Sequence, residues 1–134
     1  MLNRLFAPKS DSKDGLTQPQ REAIVDVLNY CMYADNFIAI SESQFIAKKV
    51  ESLNWDPKIS LEYYLNKSIG EVRRALSSAE AKEEFFQSVK QRLESKSLRE
   101  IALSLSQKLF VSDGNKSASE NVVQNELLKY LEKA

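Results

Sequence analysis

Residues 17–34 have the sequence TQPQREAIVDVLNYCMYA, and its apolar side chains recur at helical spacing. The Thr17 hydroxyl can cap the start of a helix, and Gln20, three residues later, completes a capping box. Pro19 is tolerated because the N–H groups of a first helical turn have no partner within the helix. We therefore predict a helix over residues 17–34. The residues expected on its buried face are Ile24, Val27, Leu28 and Cys31.

The same three- and four-residue spacing continues along the chain. It predicts further helices at 41–53, 60–76, 79–93, 98–111 and 118–133, with Gly70 as a break between two short pieces. Only three Gly and three Pro punctuate the 134 residues, and no stretch alternates with the two-residue period of a strand. The sequence predicts an all-α fold, a compact single-domain bundle of about six or seven helices.

The apolar residues of the later helices form their own stripes. The expected buried positions are Leu61, Tyr64, Leu65, Ile69, Val72 and Leu76 in the third helix and Phe86, Val89 and Leu93 in the fourth. The fifth helix is expected to bury Leu98, Ile101, Leu105 and Leu109, and the last Val123, Leu127 and Leu131.

Length and composition exclude several classes of protein. At 134 residues the chain is one domain, with residues 1–16 as a flexible lead-in and residues 17–134 as the helical domain. The formal net charge is +0, which argues against nucleic acid as a partner. The single Cys31 excludes an internal disulfide and favours a reducing, cytoplasmic setting. No segment reaches the roughly 18 apolar residues of a membrane span, and nothing directs the chain to export.

A short corner appears twice, which indicates an internal duplication. In each copy a helical run ends beside an Asp, a turn follows, and a Glu comes seven positions later: Asp35 with Glu42, and Asp113 with Glu120. The match extends upstream, since Arg21 precedes Asp35 by the same distance as Arg99 precedes Asp113. We therefore expect the first and last helix pairs to be related by an approximate two-fold axis.

Ordinary helix capping explains the second corner better than the first. Ser117 and Glu120 form a capping box, and a Glu in the first turn is favoured by the helix dipole. The equivalent of Ser117 in the first copy is Ala39, which cannot cap through its side chain, yet Glu42 remains. An Asp at a helix C-terminus also faces the negative end of the dipole, so Asp35 and Asp113 need a further reason.

One such reason is a metal site. The chain has no His and no thiolate cluster, so the available ligands are carboxylates, carbonyls and water. These suit calcium, magnesium or manganese and argue against zinc or copper. Asp35, Glu42, Asp113 and Glu120 are the candidate ligands. The spacing does not fit an EF-hand, whose Glu comes eleven residues after the first Asp. No organic cofactor is expected.

These residues give the chain a resemblance to the tellurite-resistance TerB family. The family's hallmark is a repeated Ala-Asp-Gly-like turn with a Glu seven positions beyond the Asp; here the turns are 34–42 and 112–120, with Asn36 replacing the usual Gly of the first turn. The resemblance covers residues 17–134. It implies an all-helical, metal-binding domain in resistance to tellurite and other chemical stress, acting with protein partners at or near the membrane. By position, it assigns the same four carboxylates as site residues.

Two other classes remain as alternatives. In one, the acidic corners form a negatively charged docking surface for a protein partner with no metal bound. Separately, Lys116 in the second corner supplies an ammonium that would neutralise the acidic cluster without a metal ion. In the other, the protein is an enzyme; this requires a nucleophile with a base, or a metal with an open position. With no His to activate a serine, and with Cys31 on the apolar face of a helix, we expect no catalysis.

Overall fold

The computed structural model describes residues 16–34, 46, 48–111 and 118–131. Five helices have defined bounds: α1 (Gln18–Ala34), α2 (Leu61–Ser77), α3 (Ala79–Arg92), α4 (Lys96–Val111) and α5 (Ala118–Leu131). A shorter helical stretch covers residues 48–52. The described ranges contain no β-strand, and the prediction of an all-α bundle is confirmed. The predicted lead-in falls outside these ranges, apart from Leu16.

The start of α1 forms the capping box that the sequence predicts. The backbone N–H of Thr17 donates to Gln20 Oε1 at 2.9 Å, and the backbone N–H of Gln20 donates to Thr17 Oγ1 at 3.3 Å. Two N–H groups that a helix start would leave unpaired are satisfied reciprocally. The predicted beginning of the first helix is therefore confirmed to within one residue.

Helix α1 is the central element of the described bundle and packs against each of the other four helices. Every residue from 23 to 32 is buried. The predicted face is confirmed, but burial extends around the whole circumference, as is typical of a core helix. Two polar residues, Asp26 and Asn29, are carried into the interior with it.

Contacts along α1 give the direction of α2. Asn29 lies against Ser68, and one turn later the Tyr33 ring lies beneath the Arg73 guanidinium. Residue numbers rise together on both helices, so α1 and α2 are parallel.

The third helix runs the other way. Asp26 contacts Arg92 near the end of α3, whereas Tyr30 stacks on Phe85 nearer its start. Helices α1 and α3 are therefore antiparallel.

Helix α5 runs parallel to α3. Lys82 pairs with Glu126, and four residues later Phe86 stacks on Tyr130 with ring centroids 4.4 Å apart. Since α3 is antiparallel to α1, α5 is antiparallel to α1 as well. The end of α1 and the start of α5 therefore face the same end of the bundle.

Helices α2 and α3 are joined by one residue. Ser60 Oγ accepts a hydrogen bond from the backbone N–H of Tyr63 at the start of α2, and Ser78 Oγ accepts one from Ala81 at the start of α3. Ser78 itself is extended, with φ −155° and ψ 151°, which ends α2 and caps α3 at once. The predicted break at Gly70 is wrong, because α2 continues through it without interruption.

Burial confirms some of the predicted stripes and corrects others. The positions expected in α3 and α5 are all buried, whereas in α2 only Tyr64 and Val72 are; Leu76 is exposed and the others are half-buried. In α4 Leu109 is buried, but Ile101 is 38% exposed, and Leu98 and Leu105 are only half-buried. The residues that α4 buries besides Leu109 are Ala102, Leu103 and Ser106.

The corrected stripe of α4 matches α1 at the offset of the repeated corner. Asp113 follows Asp35 by 78 residues. The residues that lie 78 positions before the buried residues of α4 are Ile24, Val25, Leu28 and Cys31. All four are fully buried in α1. Because every residue from 23 to 32 of α1 is buried, this match does not by itself distinguish a duplicated stripe from the general burial of α1.

Candidate functional site

The residues predicted to form a metal site lie at or beyond the edges of the described ranges. Asp35, Glu42 and Asp113 fall outside them, and Glu120 lies in the first turn of α5 with its side chain outside the described part. Within the ranges that are described, no three Cys, Asp or Glu side chains are grouped so as to hold a metal ion.

The polar residues of α1 form a buried network that the sequence did not predict. The Asp26 side chain is 6% exposed, and Arg92 Nη2 donates to its Oδ2 at 2.8 Å. The Tyr64 hydroxyl lies 3.0 Å from each Asp26 oxygen, and Arg92 Nη1 lies 3.4 Å from that hydroxyl. Each member of this triad contacts the other two, so one carboxylate joins α1, α2 and α3.

The environment of the triad raises the pKa of Tyr64 and that of Arg92. Burial raises the pKa of the Tyr64 hydroxyl, and the Asp26 carboxylate raises it further, against a smaller opposing effect of Arg92. Burial by itself lowers the pKa of a guanidinium, but the Asp26 carboxylate outweighs it, so the pKa of Arg92 is raised. Tyr64 therefore stays a neutral hydrogen-bond donor, and Arg92 stays charged.

A second network links α1, α3 and α5 through Glu126. The Tyr30 hydroxyl donates to Glu126 Oε1 at 2.6 Å, and Lys82 Nζ lies 2.7 Å from Oε2. Burial, followed by the Glu126 carboxylate, raises the pKa of Tyr30. The contacts of Glu126 use both oxygens of its carboxylate, so this cluster holds α1, α3 and α5 together.

A cleft of about 440 Å³ opens beside the Asp26 triad, between α1, α2 and α3. The Asp26–Arg92 pair lines one part of it, and Arg74 and Glu84, whose side chains are 3.4 Å apart, line another. The volume lies within the range of small-molecule sites in proteins, at the smaller end. Its walls combine both signs of charge with the Tyr64 and Phe85 rings.

The sequence did contain a signal for this site. Asp26 and Asn29 interrupt an otherwise apolar run, and polar groups buried in a core helix require partners. The partners, Tyr64 and Arg92 for Asp26 and Ser68 for Asn29, are too distant in sequence to be assigned from spacing. Cys31 is buried, as its place on the apolar face predicts.

The helices and their packing define the chain as an all-α helical bundle. Comparison with known protein families, curated proteins and solved structures gives no match for it. None of the helices in the described ranges is long and apolar enough to cross a membrane.

Proposed function

We propose that the chain is a TerB-like domain that binds a divalent cation in chemical-stress resistance, including tellurite resistance. The ligands are Asp35, Glu42, Asp113 and Glu120, and the ion is calcium, magnesium or manganese, which prefer such oxygen ligands. The proposed role is binding or sensing, without catalysis. It is exercised in the cytoplasm with protein partners, in a complex that can be associated with the membrane.

The observation that carries this proposal is the direction of the helices. Ala34, the last residue of α1, directly precedes Asp35, and Ala118, the first residue of α5, lies five residues beyond Asp113. The two helix ends face the same end of the bundle, because α5 is antiparallel to α1. A site shared between the two corners needs this arrangement.

Thermal unfolding with added calcium, magnesium or manganese tests the proposal. A cation present at roughly 100 times its Kd adds about 2.7 kcal/mol to the free energy of unfolding. For a domain of this size the melting temperature should then rise by about 5 °C or more. The Asp35→Asn, Asp113→Asn double variant should lose that rise.

A charge-matched control separates a site from a general effect of charge. Glu83 and Glu100 are exposed on α3 and α4 and are not among the proposed ligands. The Glu83→Gln, Glu100→Gln double variant should keep the full response to the cation. If calorimetry detects no binding of any of the three ions to the unmodified protein, the metal site is disproved and the acidic docking surface takes its place. Partner binding would then survive Asp35→Glu and Asp113→Glu, which keep the charge but alter the ligand geometry.

A further inference from the structure

The Tyr30 hydroxyl forms a direct hydrogen bond between the two helices that adjoin the corners. It donates to Glu126 Oε1 at 2.6 Å, from α1 to α5. Tyr30 lies four residues before Ala34, the end of α1, and Glu126 lies eight residues after Ala118, the start of α5. At 1.5 Å per residue these separations are about 6 Å and about 12 Å. The bond therefore joins α1 and α5 close to the ends that lead to the corners.

Ring packing fixes the position of the Tyr30 hydroxyl. Tyr30 is fully buried, and its ring centroid lies 5.6 Å from that of Phe85 and 4.9 Å from that of Phe86, both on α3. Aromatic rings at these separations pack in preferred orientations. Because the ring is held by α3 as well as by its own helix, the hydroxyl presents a fixed donor to Glu126.

The position of Glu126 is also set by α3. Lys82 Nζ lies 2.7 Å from Glu126 Oε2, and one turn further along both helices Phe86 stacks on Tyr130. These two contacts, four residues apart on each helix, set the register of α5 against α3. Tyr30 extends that register to α1, because its hydroxyl meets the other oxygen of the same carboxylate.

The register of α5 determines where its first turn lies. This turn contains Glu120, so a shift of α5 along its axis displaces the backbone of Glu120 by the same amount. Oxygen ligands bind calcium at about 2.3–2.6 Å and magnesium at about 2.0–2.1 Å. Ligands from two corners can meet such narrow distances only if the helices that carry them keep a constant register.

We propose that Tyr30 and Glu126 are positioning residues of the corner metal site: their hydrogen bond fixes the register of α1 and α5, and so the distance between the two pairs of ligands. This role rests on the proposed function, because it concerns the ion bound at the corners. Neither residue is itself a ligand, and both oxygens of Glu126 are engaged by Tyr30 and Lys82.

Titration calorimetry with calcium, magnesium and manganese on the full chain tests this role. Tyr30→Phe keeps the packed ring and removes only the hydroxyl, so the fold is retained. The ion that the unmodified protein binds should bind this variant about twofold to thirtyfold more weakly, the range for residues that influence a ligand without touching it. Unchanged affinity in Tyr30→Phe would overturn the role.

Tyr64→Phe is the matched control. It also removes the hydroxyl of a buried tyrosine that is bonded to a carboxylate, but this hydroxyl joins α2 to Asp26 of α1 and leaves the link to α5 intact. Its affinity for the ion should equal that of the unmodified protein, although both variants should unfold at a lower temperature. Equal weakening in Tyr30→Phe and Tyr64→Phe would show an effect of general destabilisation and would refute the role.

Substitutions of Glu126 separate its hydrogen bond from its charge. Glu126→Gln loses the charge but keeps an oxygen that accepts from Tyr30, so it should bind the ion nearly as the unmodified protein does. Glu126→Leu loses both and should weaken binding as Tyr30→Phe does. Combining Glu126→Leu with Tyr30→Phe should weaken binding no further, because the two substitutions remove one shared contact. Equal weakening in the Gln and Leu variants would assign the effect to charge and overturn the role.

The unmodified protein distinguishes failure of this role from failure of the proposed function. If it binds none of the three ions, the metal site is disproved, and the role with it. If it binds an ion with an affinity that Tyr30→Phe and Glu126→Leu leave unchanged, the role alone is disproved.

Discussion

Asp26 stands in the most deeply buried helix of the described bundle, where a charge needs compensation to persist. Its carboxylate accepts a charge-assisted hydrogen bond from Arg92 and lies within hydrogen-bond distance of the Tyr64 hydroxyl. Such a pair adds little stability relative to apolar residues of the same shape, but removing one partner leaves the other uncompensated. The triad is therefore a point at which a small chemical change has a large effect.

Asp26→Asn keeps the shape of the side chain and removes its charge. The Arg92 guanidinium would lose its counter-ion and the new amide would face donors, so unfolding should require about 2–3 kcal/mol less free energy. Urea denaturation followed by circular dichroism measures this change.

An exposed pair that also lines the cleft provides the contrast. Arg74 and Glu84 have side-chain exposures of 62% and 60%, so Glu84→Gln should change stability by less than about 0.5 kcal/mol. If Asp26→Asn and Glu84→Gln lower the free energy of unfolding equally, burial of the Asp26 pair does not increase the cost of removing its charge.

At the scale of elements, Gly70 lies in the middle of α2 and is exposed. Apart from its two chain neighbours and the nearby backbone of α2 itself, no described atom lies within 4 Å of the position that a Cβ would take there. Glycine lowers helix stability because its backbone loses more freedom on folding than that of any other residue. It is tolerated here because the packing of α2 on α1 and α3 maintains the helix.

Gly70→Ala should therefore stabilise the protein by about 0.5–1 kcal/mol. Gly70→Ser should give a smaller gain, since serine lies between glycine and alanine in helix propensity. Thermal unfolding of the three proteins should follow the order Gly, Ser, Ala. A decrease in stability with alanine would contradict the prediction, because helix propensity alone would then not determine the effect of the substitution at Gly70.

Elements were predictable from the sequence wherever a local signal sufficed. Thr17 and Gln20 fix the start of α1 through contacts three residues apart, and a regular apolar stripe identified the buried face of α5. The failures came where tertiary packing outweighs the local signal, as at Gly70. In α4 Ile101 is left exposed while Ser106 is buried, so apolar character alone does not identify the face that packs on the bundle.

For the whole molecule, the central feature is that α1 is joined to α3 and α5 through Tyr30 and Glu126. Tyr30 is fully buried, and its ring packs against the rings of Phe85 and Phe86. Burial raises its pKa above the ordinary value of 10.0. Because the folded pKa exceeds the unfolded one, the contribution of Tyr30 to stability is complete below pH 10 and is lost as the pH rises towards the folded value.

Stability should consequently fall as the pH rises above about 10, with up to about 1.4 kcal/mol per pH unit from Tyr30 alone. Urea denaturation at a series of pH values from 8 to 11 should show this slope reduced by about that amount in Tyr30→Phe. Tyr63→Phe removes a hydroxyl from a 67% exposed side chain and should leave the slope unchanged. An identical slope in all three proteins would contradict the assignment to Tyr30.

The candidate sites were predictable to different degrees at this scale. The repeated corners can be found by eye, because Asp35 and Asp113 keep a constant relation to their neighbours in sequence. The cleft cannot be found in this way, since Asp26, Tyr64 and Arg92 come together only through the parallel and antiparallel packing of three helices.

The single residue between α2 and α3 has a consequence for exchange at the cleft. Only Ser78 connects these two walls, and α1 packs against both of them. Their separation is set when the chain folds, so a molecule that enters meets a preorganised opening, and little further ordering opposes its association.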